Sequence, residues 1–287
     1  MIYLLLSVVF STSLFVIFKY FDSYKIDTLK AIVVNYMVAL TLGFTLAESS
    51  ISITGIMHQP WVFGALALGV LFVSIFFVMA LTAQQNGVSV VSVAGKMSVV
   101  VPIIFGVYLY GESLGMFKIA GIFIALIAVY LASVKEEGKK HEKAGLLLPV
   151  ILFLGSGTID TTLKYVQKMY VAENDVELFS GSLFGFAAFF GVLILLIKTI
   201  RKPAPFGLKN LIAGIVLGVP NYYSIVFLIK ALQTKGFESS TLFTINNVSI
   251  VIVSTLVGFL LFKEKFSLKN KIGILLAVLG IVLVAVA

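Results

Sequence analysis

The sequence predicts an all-α integral membrane protein: ten transmembrane helices arranged as a five-plus-five inverted repeat. Three observations carry this. The 287 residues are 60% hydrophobic and only 12% charged, with a mean hydropathy of +1.11. A soluble domain carries roughly 25% charged residues, so this chain could not cover its surface with polar groups in water. Apolar runs of about 18 or more residues recur along its whole length, each long enough to cross a hydrocarbon core of roughly 30 Å. Finally, the second half of the chain repeats the pattern of the first.

The spans fall at about 2–20, 28–48, 61–81, 88–110, 116–134, 145–168, 177–198, 209–232, 239–262 and 268–286. The first begins Met1-Ile2-Tyr3-Leu4-Leu5-Leu6-Ser7. It lacks a basic leader and a clear small-residue cleavage site, so it reads as a membrane helix rather than a cleaved signal peptide. Most connections are short and carry turn signals, such as Gln85-Asn86-Gly87, or charge. The most hydrophilic stretch runs from Lys135 to Lys143. It divides the chain into a first repeat, 1–134, a charged linker, 135–144, and a second repeat, 145–287.

Basic residues sort by side. The odd-numbered loops and adjoining span ends hold Lys19, Lys25 and Lys30, then Lys135, Lys139, Lys140 and Lys143. They continue with Lys198, Arg201, Lys202 and Lys209, then Lys263, Lys265, Lys269 and Lys271. The even-numbered loops hold Lys118, Lys164, Lys168, Lys230 and Lys235. The positive-inside rule places the odd loops in the cytoplasm and both termini outside, as in a multi-pass protein of the plasma membrane. Lysines beside anionic lipid account for the net charge of +8, and no nucleic-acid partner is expected.

The repeat is visible residue by residue. Phe105-Gly106-Val107-Tyr108-Leu109-Tyr110-Gly111-Glu112 matches Val257-Gly258-Phe259-Leu260-Leu261-Phe262-Lys263-Glu264. Gly121-Ile122-Phe123-Ile124-Ala125 matches Gly273-Ile274-Leu275-Leu276-Ala277, and Ala80-Leu81 pairs with Ala231-Leu232. Five spans per repeat, an odd number, give the halves opposite orientation. The loop at Glu112 is poor in lysine and its counterpart at Glu264 is rich, as one unit inserted both ways requires. Inverted repeats recur in secondary transporters, where the site lies near the midplane and rocking of one part against the other gives alternating access.

These residues resemble a known family. A Gly-Glu pair ends the fourth span and a fifth opens with Gly-x-x-x-Ala: Gly111-Glu112 with Gly121 and Ala125, then Lys263-Glu264 with Gly273 and Ala277. The pattern resembles the EamA family of the drug/metabolite transporter superfamily, over essentially the whole chain. The resemblance implies ten spans in a five-plus-five inverted repeat and transport of small organic metabolites, often outward. Many members open with a Trp-Gly pair where this chain has Phe10-Ser11, and Lys263 stands where the first repeat has Gly111.

Lys96 is the first candidate site residue. It lies in Ser92-Val93-Ala94-Gly95-Lys96-Met97-Ser98-Val99-Val100-Val101-Pro102 with no acidic residue within a helical turn. An ammonium roughly 12 Å into a span costs a few kcal/mol. Two readings stand: a structural lysine bonded to carbonyls of another helix, or a cavity-facing cation that binds a carboxylate or phosphate. Pro102 lacks the N–H that would bond the carbonyl of Ser98, which offers a free acceptor nearby. Asp160, in the sixth span, is either the i,i+4 partner of Lys164 or a group for ion coupling or for pairing with Lys96.

Asn246 and Asn247 in the ninth span lie level with Gly95-Lys96 in the repeat. Asn35 and Tyr36 mark the second span. Asn221 and Tyr222 follow Pro220 in the eighth, where the carbonyl of Val216 loses its donor. Amides in lipid need partners, so these residues read as interhelical glue or as the wall of a wet cavity. The tyrosines could stack on a substrate or hydrogen-bond to it. Glu112 and Glu264, at span ends facing the N-terminus of the next helix, read as structural. Trp61 reads as an interface anchor.

No cysteine is present, and the two histidines, His58 and His141, fall in loops, so no metal site or cofactor is expected. No G-x-x-x-x-G-K-[ST], H-E-x-x-H or G-x-S-x-G occurs, which leaves neither a nucleotide-driven pump nor an enzyme. The function predicted is secondary transport, directed outward, of a small polar metabolite such as an amino acid or another anionic or zwitterionic solute. The expected partners are the lipid bilayer, the solute, and a coupling proton or exchanged solute. The alternative is a lipid-handling or scaffold subunit of an envelope complex.

Overall fold

The computed structural model describes residues 2–46, 53–102, 104–105, 115–133, 144–172, 175–201, 203, 205–232 and 239–286. They form eleven helices: α1 (Ile2–Ser23), α2 (Thr28–Leu46), α3 (Ile53–Met57), α4 (Val62–Asn86), α5 (Val88–Met97), α6 (Met116–Ser133), α7 (Ala144–Tyr170), α8 (Val176–Arg201), α9 (Leu208–Leu232), α10 (Ser239–Phe262) and α11 (Leu268–Val286). All but the short α3 correspond to an expected span. Seven described helices are long and apolar enough to cross a membrane, and two shorter apolar helices cover Val88–Pro102 and Ile119–Ala132. Outward-facing side chains are large and apolar, with Phe63 82% and Ile200 81% exposed. In water such surfaces would aggregate; in lipid they are solvated.

The described chain forms two compact units. The first comprises Met1–Tyr20, Val78–Thr158 and Ser224–Ala287; the second comprises Phe21–Phe77 and Ile159–Tyr223. Each unit draws helices from both sides of the charged linker, which lies outside the described residues except for Ala144.

Within each unit, counterpart helices of the two sequence repeats pack against one another and run antiparallel. In the second unit α2 meets α8, the second span against the seventh. A Cβ on Gly43 would sit 2.6 Å from the Cα of Gly181, on Gly185 3.1 Å from Leu40, and on Gly191 3.1 Å from Val33. The numbering rises along one helix as it falls along the other. In the first unit α6 meets α11, the fifth span against the tenth. Gly273 faces Leu131 and Ala132, while a Cβ on Gly280 would lie 3.2 Å from Ile124 and 3.4 Å from the backbone of Ala125. This is the inverted repeat in physical form. The small residues expected at 121/125 and 273/277 let the backbones approach, as they do in membrane interiors.

Helix ends are tied by side chains from the counterpart. Asn270 closes the start of α11 with Ser267 (backbone N–H to Ser267 Oγ 3.1 Å) and donates from Nδ2 to the carbonyls of Leu131 (3.1 Å) and Ala132 (3.0 Å) at the end of α6. Asp27 caps α2 through the N–H of Lys30 at 3.3 Å, and its other oxygen pairs with Lys198 near the end of α8 at 3.3 Å. Lys30 reaches the carbonyl of Pro205 at 2.6 Å, and Lys209 reaches that of Lys25 at 2.7 Å. Loops one and seven thus gather at one end of the second unit, as the sorting of basic residues requires.

Three expectations are corrected. Trp61 is only 1% exposed and packs edge-on against Phe179 at 5.6 Å, so it is a core residue of the second unit rather than an interface anchor. The carbonyl of Ser98 is not left free by Pro102: the N–H of Val101 takes it at 2.9 Å, in the tighter i to i+3 pattern that interrupts the helix after Met97. Glu264 does serve a helix N-terminus, but not that of the next helix. Glu112 and Gly111 lie outside the described residues.

Candidate functional site

In the first unit, α5 carries the site candidate Lys96. Its start lacks a capping side chain of its own, because the N-cap is Gly87 at φ +107°. Glu264 supplies the cap from the loop after α10. The N–H of Val88 donates to Oε1 at 2.6 Å, and the N–H and hydroxyl of Ser89 donate to Oε2 at 3.4 and 2.9 Å. Charge-assisted bonds at a positive helix end are the strong kind. Two glycines make room: a Cβ on Gly87 would lie 2.7 Å from Oε1, and one on Gly258 2.9 Å from Ser89 Oγ. Sequence reasoning had Glu264 as structural and missed its partner. The available signal was the bare Gly87 at the start of a span.

Ser89, Ser92 and Lys96 stand at i, i+3 and i+7, on one face of α5. Ser89 and Ser92 are buried and Lys96 is half-buried. A Cβ placed on the neighbouring Gly95 would meet no atom within 4 Å, so there is open space at the depth of the lysine. Elsewhere in this unit α10 buries Asn246 and Asn247. Among the described residues neither side-chain polar atom of Asn246 has a hydrogen-bond partner, and the same is true of Thr12 Oγ1 on α1.

The second unit holds Asn35, Tyr36, Asp160, Asn221 and Tyr222. Asn35 is wholly buried, and neither its Oδ1 nor its Nδ2 has a partner among the described residues. Its backbone carbonyl lies against Gly218 of α9, where a Cβ would come within 2.9 Å. Asn221 and Tyr222 lie three and four residues on from Gly218, also buried. The Tyr222 hydroxyl has no partner, whereas that of Tyr36 donates to the carbonyl of Phe72 at 2.9 Å. Phe184 of α8 links the tyrosines, its ring 6.1 Å from Tyr36 and 6.4 Å from Tyr222. The structure therefore brings Asn35, Tyr36, Asn221 and Tyr222 to one region of this unit. Asp160 is half-buried on α7. Sequence reasoning missed Phe184 and the buried, unpartnered Ser182 hydroxyl, which carry no signal beyond one apolar and one small residue in a span.

A bundle of antiparallel counterpart helices, apolar outside and carrying buried amides inside, defines a multi-span membrane protein of the inverted-repeat class. Residues 147–286 match the model of the EamA-like transporter family, a family of membrane transporters. An uncharacterized protein of Haemophilus influenzae is 28% identical over 286 residues, covering 97% of this chain and 95% of its own. A protein of known crystal structure superposes with a TM-score of 0.57 at 15% identity, covering 97% of this chain and 96% of that one, which establishes the shared fold alone.

Proposed function

We propose that the protein is a secondary transporter of a small polar organic metabolite, an amino acid or another anionic or zwitterionic solute. In this reading it moves the solute outward across the plasma membrane by alternating access, as two five-span repeats, 1–134 and 145–287, joined by the linker 135–144. The observation that carries the proposal is the two buried amides, Asn35 and Asn246, whose side-chain oxygen and nitrogen atoms lack partners among the described residues. A polar atom inside a membrane protein is expensive unless something bonds it. Structural glue would already be bonded; a site that exchanges water for solute has bonding capacity to offer. Lys96 sets the sign of the solute, because an ammonium within a span attracts a carboxylate or phosphate. Asn247 in the first unit and Asp160, Asn221, Tyr36 and Tyr222 in the second are the remaining candidate contacts, with a coupling proton or an exchanged solute supplying the driving force.

Uptake of labelled amino acids, organic acids, sugars and nucleotides into proteoliposomes, with and without a pH gradient, tests this. Anionic or zwitterionic solutes should enter or exchange faster than in protein-free liposomes. Background rates for that whole class would overturn the proposal.

A further inference from the structure

The cap on α5 does more than finish a helix. Glu264 sits over the first turn of the same helix face that carries Ser89, Ser92 and Lys96. From Ser89 to Lys96 this face descends about 10 Å at 1.5 Å per residue. Its three polar residues stand in a helix otherwise made of valine, alanine, glycine and methionine. Ser92 Oγ bonds back to the carbonyl of Ser89 at 2.9 Å, while Ser89 Oγ donates to Glu264 at 2.9 Å. The bonds that close the top of the face come from Glu264.

Two further ties brace the same end of the unit. Lys19 donates to the carbonyl of Gln84 at 2.9 Å, and Asn86 to that of Gly145 at 2.8 Å. These reach backbone carbonyls and lie ahead of α5. The Glu264 carboxylate instead grips the helix start itself, with Gly87 and Gly258 cleared of side chains around it. A clasp made of one carboxylate and one helix end can part without unpacking a core.

We propose that Glu264 is a gate residue: its bonds to Val88 and Ser89 close the route from the face of the odd-numbered loops down the Ser89–Ser92–Lys96 stripe, and their breaking opens it. This rests on the transporter reading, since a gate needs a site to serve.

The absence of native cysteine makes the test direct. Ser92→Cys, fully buried in the closed arrangement, reports access to the stripe. Lys265→Cys, exposed in the loop beside Glu264, marks the side from which a membrane-impermeant maleimide arrives. Ser7→Cys, buried in the same unit where Ser7 bonds the carbonyl of Ser224, reports general loosening. Adding Glu264→Ala should speed labelling of Ser92→Cys from the Lys265 side about tenfold or more and leave Ser7→Cys slow. Glu264→Gln, which keeps the shape and loses the charge, should give a smaller rise and guards against misfolding of the alanine variant. An unchanged Ser92→Cys rate in both variants, or a parallel rise at Ser7→Cys, overturns the gate. Labelling requires no knowledge of the solute, so failed transport with an intact labelling response would sink the transporter reading and spare the clasp.

Discussion

At single residues the structure turns several sequence oddities into backbone chemistry. Lys263, standing where the first repeat has glycine, occupies a left-handed conformation, φ +50°, just after α10. That conformation costs a side-chain-bearing residue roughly 1–2 kcal/mol. Lys263→Gly should therefore raise the thermal midpoint of the purified protein, where Lys263→Ala should not; a fall with glycine would contradict the assignment. Pro149 lies inside α7 and withholds the N–H that would bond the carbonyl of Gly145. Asn86 donates to that carbonyl instead. Asn86→Ala should destabilise by about 1 kcal/mol, the net worth of a hydrogen bond to this part-buried acceptor. The loss should shrink when Pro149→Ala restores the helical donor, and additive losses in a double-mutant cycle would show that the two are unrelated. The sequence displayed Lys96, Asn35 and Asn246 because polar residues in apolar runs are conspicuous. It could not display Glu264 as the cap of α5, since that bond joins residues 176 positions apart.

Among the helices, legibility followed length and hydrophobicity. The spans expected at 239–262 and 268–286 coincide with α10 and α11. The fourth was expected to run unbroken from 88 to 110, yet α5 ends at Met97, where the i to i+3 bond to Ser98 tightens the chain ahead of Pro102. Periodicity is blind to such a break, because the residues on either side are equally apolar. The short α3 also went unread, as five residues carry no period. The antiparallel pairing was legible only through the matched Gly and Ala of the fifth and tenth spans. The Gly43–Gly181 crossing of α2 and α8, where a Cβ on Gly43 would sit 2.6 Å from the Cα of Gly181, left no such mark. Gly181→Leu should separate these helices at a cost of at least about 1–3 kcal/mol. Size-exclusion profiles and melting curves would show it as lost monodispersity or a lower midpoint; a wild-type profile would mean the crossing is not tight.

For the whole molecule the account makes one topological and one functional claim. Basic residues of odd loops meet at one end of the second unit, where Lys209 reaches Lys25 and Lys198 pairs with Asp27. With those loops cytoplasmic, a cysteine at Arg201 should label only from the inside and one at His58, in an even loop, only from the outside. The reverse pattern would invert the molecule. The functional claim is that Lys96 holds the anionic group of a transported solute. It is tested most directly by exchange of the best-carried solute in proteoliposomes, comparing wild type, Lys96→Arg and Lys96→Ala at equal folded protein. The account predicts a loss of at least about tenfold with alanine, equivalent to about 1.4 kcal/mol of lost binding, and partial retention with arginine. Exchange at the wild-type rate with alanine would contradict it.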